Sequence, residues 1–150
     1  MIGLTLSVVE SASHQTSLVS VKATNLKSEK TYSSYGTKAD VSINNLSEKT
    51  IIGLRIRVYP FNALNEPMVR FRKAYRDRLI DNIKIGAGKS QTIKAFLLGA
   101  FDHMASRVEI RILKVGFSDH TTKEYKAPDL VKWPAGINQF FLANYSRASW

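Results

Sequence analysis

The sequence predicts an all-β chain folded as an antiparallel sandwich, and three observations carry that expectation. Apolar and polar residues alternate with a period of two along Ile52–Tyr59 and again along Val108–Ile112, the pattern of strands with one buried face. Short β-prone runs recur between clusters of Asn, Gly, Ser and Pro, which favour turns. Windows with helical spacing are few.

In chain order, the apolar stretch Met1–Val9 holds the first strand candidate, Leu4–Val9. It is short and no basic residue precedes Lys22, so it does not read as a signal peptide. Leu18–Thr24 is the second candidate, and Thr24–Lys38, rich in Ser, Thr and Lys, is expected to be the most mobile loop. Ala39–Asn44 then leads into the turn Asn44–Lys49. In the next strand, Ile52, Leu54, Ile56 and Val58 should share the buried face, leaving Gly53, Arg55, Arg57 and Tyr59 on the other. A turn at Asn62–Pro67 separates it from two further candidates, Val69–Tyr75 and Leu79–Ile85. Gly86–Ser90 reads as a hairpin turn before a strand at Gln91–Leu97.

Gly99–Ser106 is expected to be a short helical turn crossing between the sheets. After Ile112 the apolar phase slips by one residue to Leu113, Val115 and Phe117, and a β-bulge near Ile112–Leu113 would restore the inward face. The expected core is Val41, Ile43, Leu54, Ile56, Val58, Ile83, Ile85, Ile93, Ile110 and Val115. From Pro128 to Trp150 the pattern changes, with Ile137, Phe140, Phe141 and Asn144 at helical offsets. That tail also carries Trp133, Tyr145 and Trp150, aromatic area that favours packing back on the sandwich over solvation.

The whole chain of 150 residues, 44% hydrophobic and 23% charged, suits one domain. Its sandwich core is expected at about 38–126, with N-terminal strands in 4–24 and the tail at 128–150. The absence of Cys excludes disulfides, thiolate metal sites, iron–sulfur clusters and cysteine nucleophiles. No apolar run approaches the roughly 18–20 residues of a membrane-spanning helix, so no transmembrane segment is expected. Lys and Arg outnumber Asp and Glu by 22 to 12, a formal charge of +10. A field of that sign draws anionic polymers, nucleic acid among them.

Few constellations suggest catalysis, and neither cofactor nor metal is expected. Gly86-Ala-Gly-Lys-Ser90 ends like a phosphate-binding loop, but Ile83 stands where that motif needs Gly and a strand pattern follows it. His14, His103 and His120 are not spaced as paired metal ligands. A hydrolase would need His103 and His120 brought together by folding. The acids are scattered, with none in a segment that reads as an apolar cleft. The chain therefore reads as non-enzymatic.

One segment does look like a site. Val69–Arg78 holds Arg70, Arg72, Lys73, Arg76 and Arg78, interleaved with Phe71 and Tyr75. Arg55 and Arg57, outward on the preceding strand, would widen the patch. Guanidinium forks suit phosphate, sulfate and carboxylate, and the aromatics could stack on bases or sugars. A patch of this kind would serve an unknown protein or an anionic polymer, with nucleic acid as the alternative; a charged edge strand guarding against aggregation would look the same.

The stretch 38–126 resembles the FxLYD-like immunoglobulin-type β-sandwich domains of bacterial envelope and secreted proteins. The resemblance rests on Asp40-Val-Ser-Ile-Asn-Asn-Leu-Ser-Glu-Lys49, on Ile51–Tyr59 running into Phe61-Asn-Ala-Leu-Asn65, on Ile83–Ser90, and on Val108–Phe117 ending in Ser118-Asp-His-Thr121. Pro60 interrupts the aromatic signature, His120 stands at a usual turn glycine, and Tyr125 replaces a frequent Trp. His tolerates the left-handed turn conformation better than most residues with a side chain. The resemblance implies an immunoglobulin-like sandwich and an accessory or adhesion-type module at the cell envelope or outside the cell, with a cytoplasmic location as the alternative. It brings no shared catalytic site.

Overall fold

Alternation of apolar and polar residues resolves into two antiparallel four-stranded sheets around one core. A computed structural model describes residues 12–69 and 72–127. The strands are β1 (Ala12–Gln15), β2 (Val19–Lys30), β3 (Tyr35–Asn45), β4 (Ile51–Phe61), β5 (Arg76–Ile80), β6 (Ser90–Phe101), β7 (Arg107–Phe117) and β8 (Thr122–Glu124). The first sheet has the order β1-β2-β3-β6 and the second β5-β4-β7-β8. No helix occurs among the described residues. The expected strand at Leu4–Val9 and the tail Pro128–Trp150 lie outside the described residues.

Inward side chains of both sheets form the core, including Val21, Val41 and Ile43 from the first and Leu54, Ile56, Val58 and Ile110 from the second. All the expected core residues are buried except Ile93, which is partly buried and packs against the cluster. The expected bulge is present: Arg55 faces Lys114 while Ile56 faces Ile112, leaving Leu113 as the extra residue on β7. That insertion lets Ile112 and Val115, three positions apart, both point inward.

Other segments differ from expectation for physical reasons. Thr24–Lys38 is not a loop: β2 and β3 pair through it in register from Lys27↔Lys38 to Lys30↔Tyr35, leaving only 31–34 as the turn. Its polar residues satisfy one another, as where Ser28 Oγ meets Thr37 Oγ1 at 2.9 Å, and Thr37 is fully buried. Gly99–Ser106 does cross between sheets but without a helix. Gly99 and Phe101 stay paired in β6 with Thr37 and Tyr35, and 102–106 is shorter than two helical turns. A Cβ at Gly99 would sit 2.7 Å from Cζ of the buried Phe101 ring, so any side chain there would have to displace that ring.

At the start of β4, a register irregularity between Ile51 and Gly53 puts Ile51 in the core and leaves Ile52 39% exposed. The described residues of Val69–Tyr75 belong to no strand. Arg72 adopts the left-handed conformation, φ 65°, and the strand begins only at Arg76. The following strand ends at Ile80 rather than Ile85, and Ile85 makes an isolated bridge to Ile51. Gly86–Ser90 is a turn, with Gly88 at φ 70° and Lys89 N–H donating to Gly86 O at 3.0 Å. It links the two sheets rather than the arms of one hairpin.

Asn45 locks that turn to its neighbour. The side chain is fully buried. Its Nδ2 donates to Lys49 O, Ile85 O and Gly86 O at 2.7, 2.9 and 3.1 Å, and its Oδ1 accepts from Ser47 N–H and Oγ–H. Every polar atom of the amide is thereby paired, as burial demands.

Candidate functional site

The outer face of the second sheet is where the fold gathers outward cations. Along β4 the inward positions are Leu54, Ile56 and Val58, so Arg55 and Arg57 project from the opposite face. Register sets Leu79, Arg55, Lys114 and Glu124 in one row across β5, β4, β7 and β8, and Asp77, Arg57 and Arg111 in the next.

These cations differ sharply in how they are engaged. Arg57 donates from Nε and Nη2 to the two carboxylate oxygens of Asp77 at 2.7 and 3.0 Å, and its guanidinium lies 3.8 Å from the centroid of the Tyr75 ring. That hydrogen-bonded carboxylate, against a smaller opposing cost of burial, raises the Arg57 pKa further. Tyr75 in turn packs on Tyr59 at 6.1 Å. Tyr59 lies on the outer face, as expected, but is covered there, and its phenol pKa is raised by that burial. Arg107 and Arg111 both pair with Glu109. Arg55 and Lys114 make no ion pair among the described residues, although Glu124 stands beside Lys114 in the row.

The expected patch is thus divided. Arg55 and Arg57 share the outer face, and Tyr75 covers Tyr59 beside them. Arg76 and Arg78 alternate with Asp77 and Leu79 and point to the other side of β5, in phase with buried Ile80. There their guanidinium groups lie 5.8 Å from the Phe101 ring and 5.9 Å from the Phe96 ring, closing the flank between β5 and β6. Arg72 and Lys73 are exposed in the link before β5, and Arg70 and Phe71 lie outside the described residues. The strand expected for Val69–Tyr75 would have put these cations beside Arg55; the turn at Arg72 prevents it.

Sequence reasoning passed over Lys114. Its signal was present: beyond the bulge it is the outward residue of β7, and antiparallel pairing of the two best alternating segments sets it opposite Arg55.

The histidines are not brought together. His103 lies in the link before β7 and His120 in the turn after it, so the length of an 11-residue strand separates them, about 30 Å. His120 does take the left-handed conformation, φ 69°. His14 on β1 accepts the Ile112 backbone N–H on Nδ1 at 2.9 Å, which places its own proton on Nε2. Burial, then the charge of Arg111, lowers its pKa. Among the described residues no three acids or histidines are grouped to hold a metal ion, and no helix is long and apolar enough to cross a membrane. The glycines of 86–90 offer no phosphate cradle: Gly88 N–H is bonded to Asn45 O, and strand rather than helix follows.

Compared with known proteins, the chain matches no family model, no curated protein and no solved structure.

Proposed function

We propose that this chain is a non-enzymatic binding module of accessory or adhesion type at the bacterial cell envelope, meeting an anionic partner through the outer face of its second sheet. The observation that carries the reading is the adjacency of Arg55 and Lys114 in register, cations in no ion pair among the described residues, while Arg57 is paired with Asp77 and Arg107 and Arg111 share Glu109. Unpaired cations on a rigid sheet are positioned for a partner's acid groups at little ordering cost. The net charge of +10 adds long-range attraction. An immunoglobulin-like identity is supported by the strand neighbours: β3 beside β6, and β4, β7, β8 in that order, correspond to the B–E and C–F–G neighbours of that class.

Nucleic acid is the less favoured partner, because the Tyr75 ring that would stack on a base is covered by Arg57. Fluorescence anisotropy with a labelled acidic polysaccharide and with single- and double-stranded DNA, at low and near-physiological salt, tests the reading. The expected result is polysaccharide binding that survives physiological salt and is lost in the Arg55→Gln/Lys114→Gln variant. Binding that disappears with salt and ignores the variant would reduce the charge to nonspecific attraction. Tighter binding of DNA than of polysaccharide would turn the assignment to nucleic acid.

A further inference from the structure

We propose that the furrow floored by Gly53 and Gly116 on this face binds a flat apolar ring carrying an anionic substituent, an aryl phosphate or aromatic carboxylate. The inference rests on the reading of the face as the contact surface and names the chemical group it would take.

The furrow encloses about 220 Å³, lined by Gly53, Leu54, Arg55, Leu79, Lys114 and Gly116, with Thr122 beside them. Register sets the two glycines directly opposite each other, with Thr122 next in the row. Gly53 sits at the irregularity that begins β4, where a glycine is common, but Gly116 stands in regular pairing, and neither has a positive φ. A Cβ at Gly53 would come no nearer than 3.8 Å, to Ile80 O, and one at Gly116 no nearer than 3.8 Å, to Gly53 O. Both are ordinary contacts. Glycine inside a strand weakens it, and a close approach by another molecule is one of the few reasons to find it there.

The space that the missing side chains leave has a defined chemistry. Its floor is strand backbone, flat and without side chains, and Leu79, 52% exposed, forms an apolar wall. Its charged rim is Arg55 and Lys114. A guanidinium can fork a carboxylate or phosphate and lie against a ring, while an ammonium adds a point charge. The volume exceeds the roughly 150 Å³ that holds a benzene ring and falls below that of sites for larger ligands. One substituted ring matches both limits.

Phenyl phosphate is the probe, with inorganic phosphate and phenol as controls that each keep half of the chemistry. They are titrated into the full chain while the backbone amide signals of Gly53 and Gly116 are followed by NMR. Phenyl phosphate should shift both glycine signals and bind at least tenfold tighter than either control. Gly53→Ala/Gly116→Ala, which fills the floor at ordinary contact distances, should keep its melting temperature and lose that tenfold advantage. Should the double variant not fold, Gly116→Ala alone serves the same purpose. Phenyl phosphate binding no tighter than inorganic phosphate, or unaffected by filling the floor, would overturn the furrow assignment. If polysaccharide binding still depends on Arg55 and Lys114 in that case, the contact face stands and only the furrow falls. If neither binds, both fall.

Discussion

His14 shows how much one side chain can depend on its protonation state. Its Nδ1 accepts the N–H of Ile112 at the β7 bulge, and a protonated imidazole has no lone pair for that bond. The folded pKa lies below the unfolded value, so the unfolded chain binds the proton more readily as pH falls. The stabilisation is therefore complete above the ordinary histidine pKa of about 6.5 and declines as pH drops below it. Urea unfolding between pH 8 and pH 5 should show this decline in the wild type. In His14→Asn, whose amide oxygen can accept the same bond without titrating, the histidine-range part should vanish. An undiminished slope in the variant would assign the effect elsewhere.

At the scale of strands, alternation was the legible part. It located β4 and β7, core residues of which all but Ile93 are buried, and the Leu113 bulge, because an inward–outward period of two leaves a direct trace in residue order. Pairing left no such trace where both faces are polar. The β2–β3 arm from Lys27 to Lys38 read as a loop because its inward partners are Thr and Ser, satisfied by each other. The arginine segment failed for a different reason. Five cations in ten residues read as one patch on a strand, but a left-handed turn at Arg72 interrupts that strand and the pleat of β5 sends Arg76 and Arg78 to the inner side. Their energetic roles therefore differ. Arg57→Ala would remove the Asp77 fork and the cover over Tyr75, costing roughly 1–2 kcal/mol. Arg55→Ala, on the same strand two positions earlier, should change stability by less than about 0.5 kcal/mol while weakening polyanion binding. Chemical denaturation of the pair measures the contrast, and equal losses would contradict the division between pinned and available cations.

Over the whole molecule, one end of the sandwich is tied by side chains that join the loops after β3 and β7. Asp119 accepts from Thr121 N–H and Oγ1–H, and Lys49 reaches it from the loop after β3 at 2.9 Å. The Thr121 hydroxyl, then Lys49, holds the Asp119 carboxyl well below the ordinary carboxylate range. A depressed folded pKa gives stability that is present above the unfolded value near 3.9 and is lost as pH falls further. Melting temperatures across pH 5 to 2 should therefore fall more steeply in the wild type than in Asp119→Asn. Parallel curves would show that solvent screening removes this contribution. Protonation of carboxylates also raises the net positive charge above +10, so self-repulsion adds to the acid sensitivity of both proteins.

The buried amide of Asn45 has a consequence for making the protein. Asn45-Leu-Ser47 spells an acceptor sequence for N-linked sugar, yet the nitrogen that would carry the glycan donates three hydrogen bonds inside the fold. A eukaryotic secretory host can attach sugar there only before the chain folds. Any molecule so marked keeps only one N–H on that nitrogen and carries a sugar where the turns at 46–50 and 86–89 must close around it, and secretion through such a host would divide the product into a folded, unmodified fraction and a modified fraction unable to close its core.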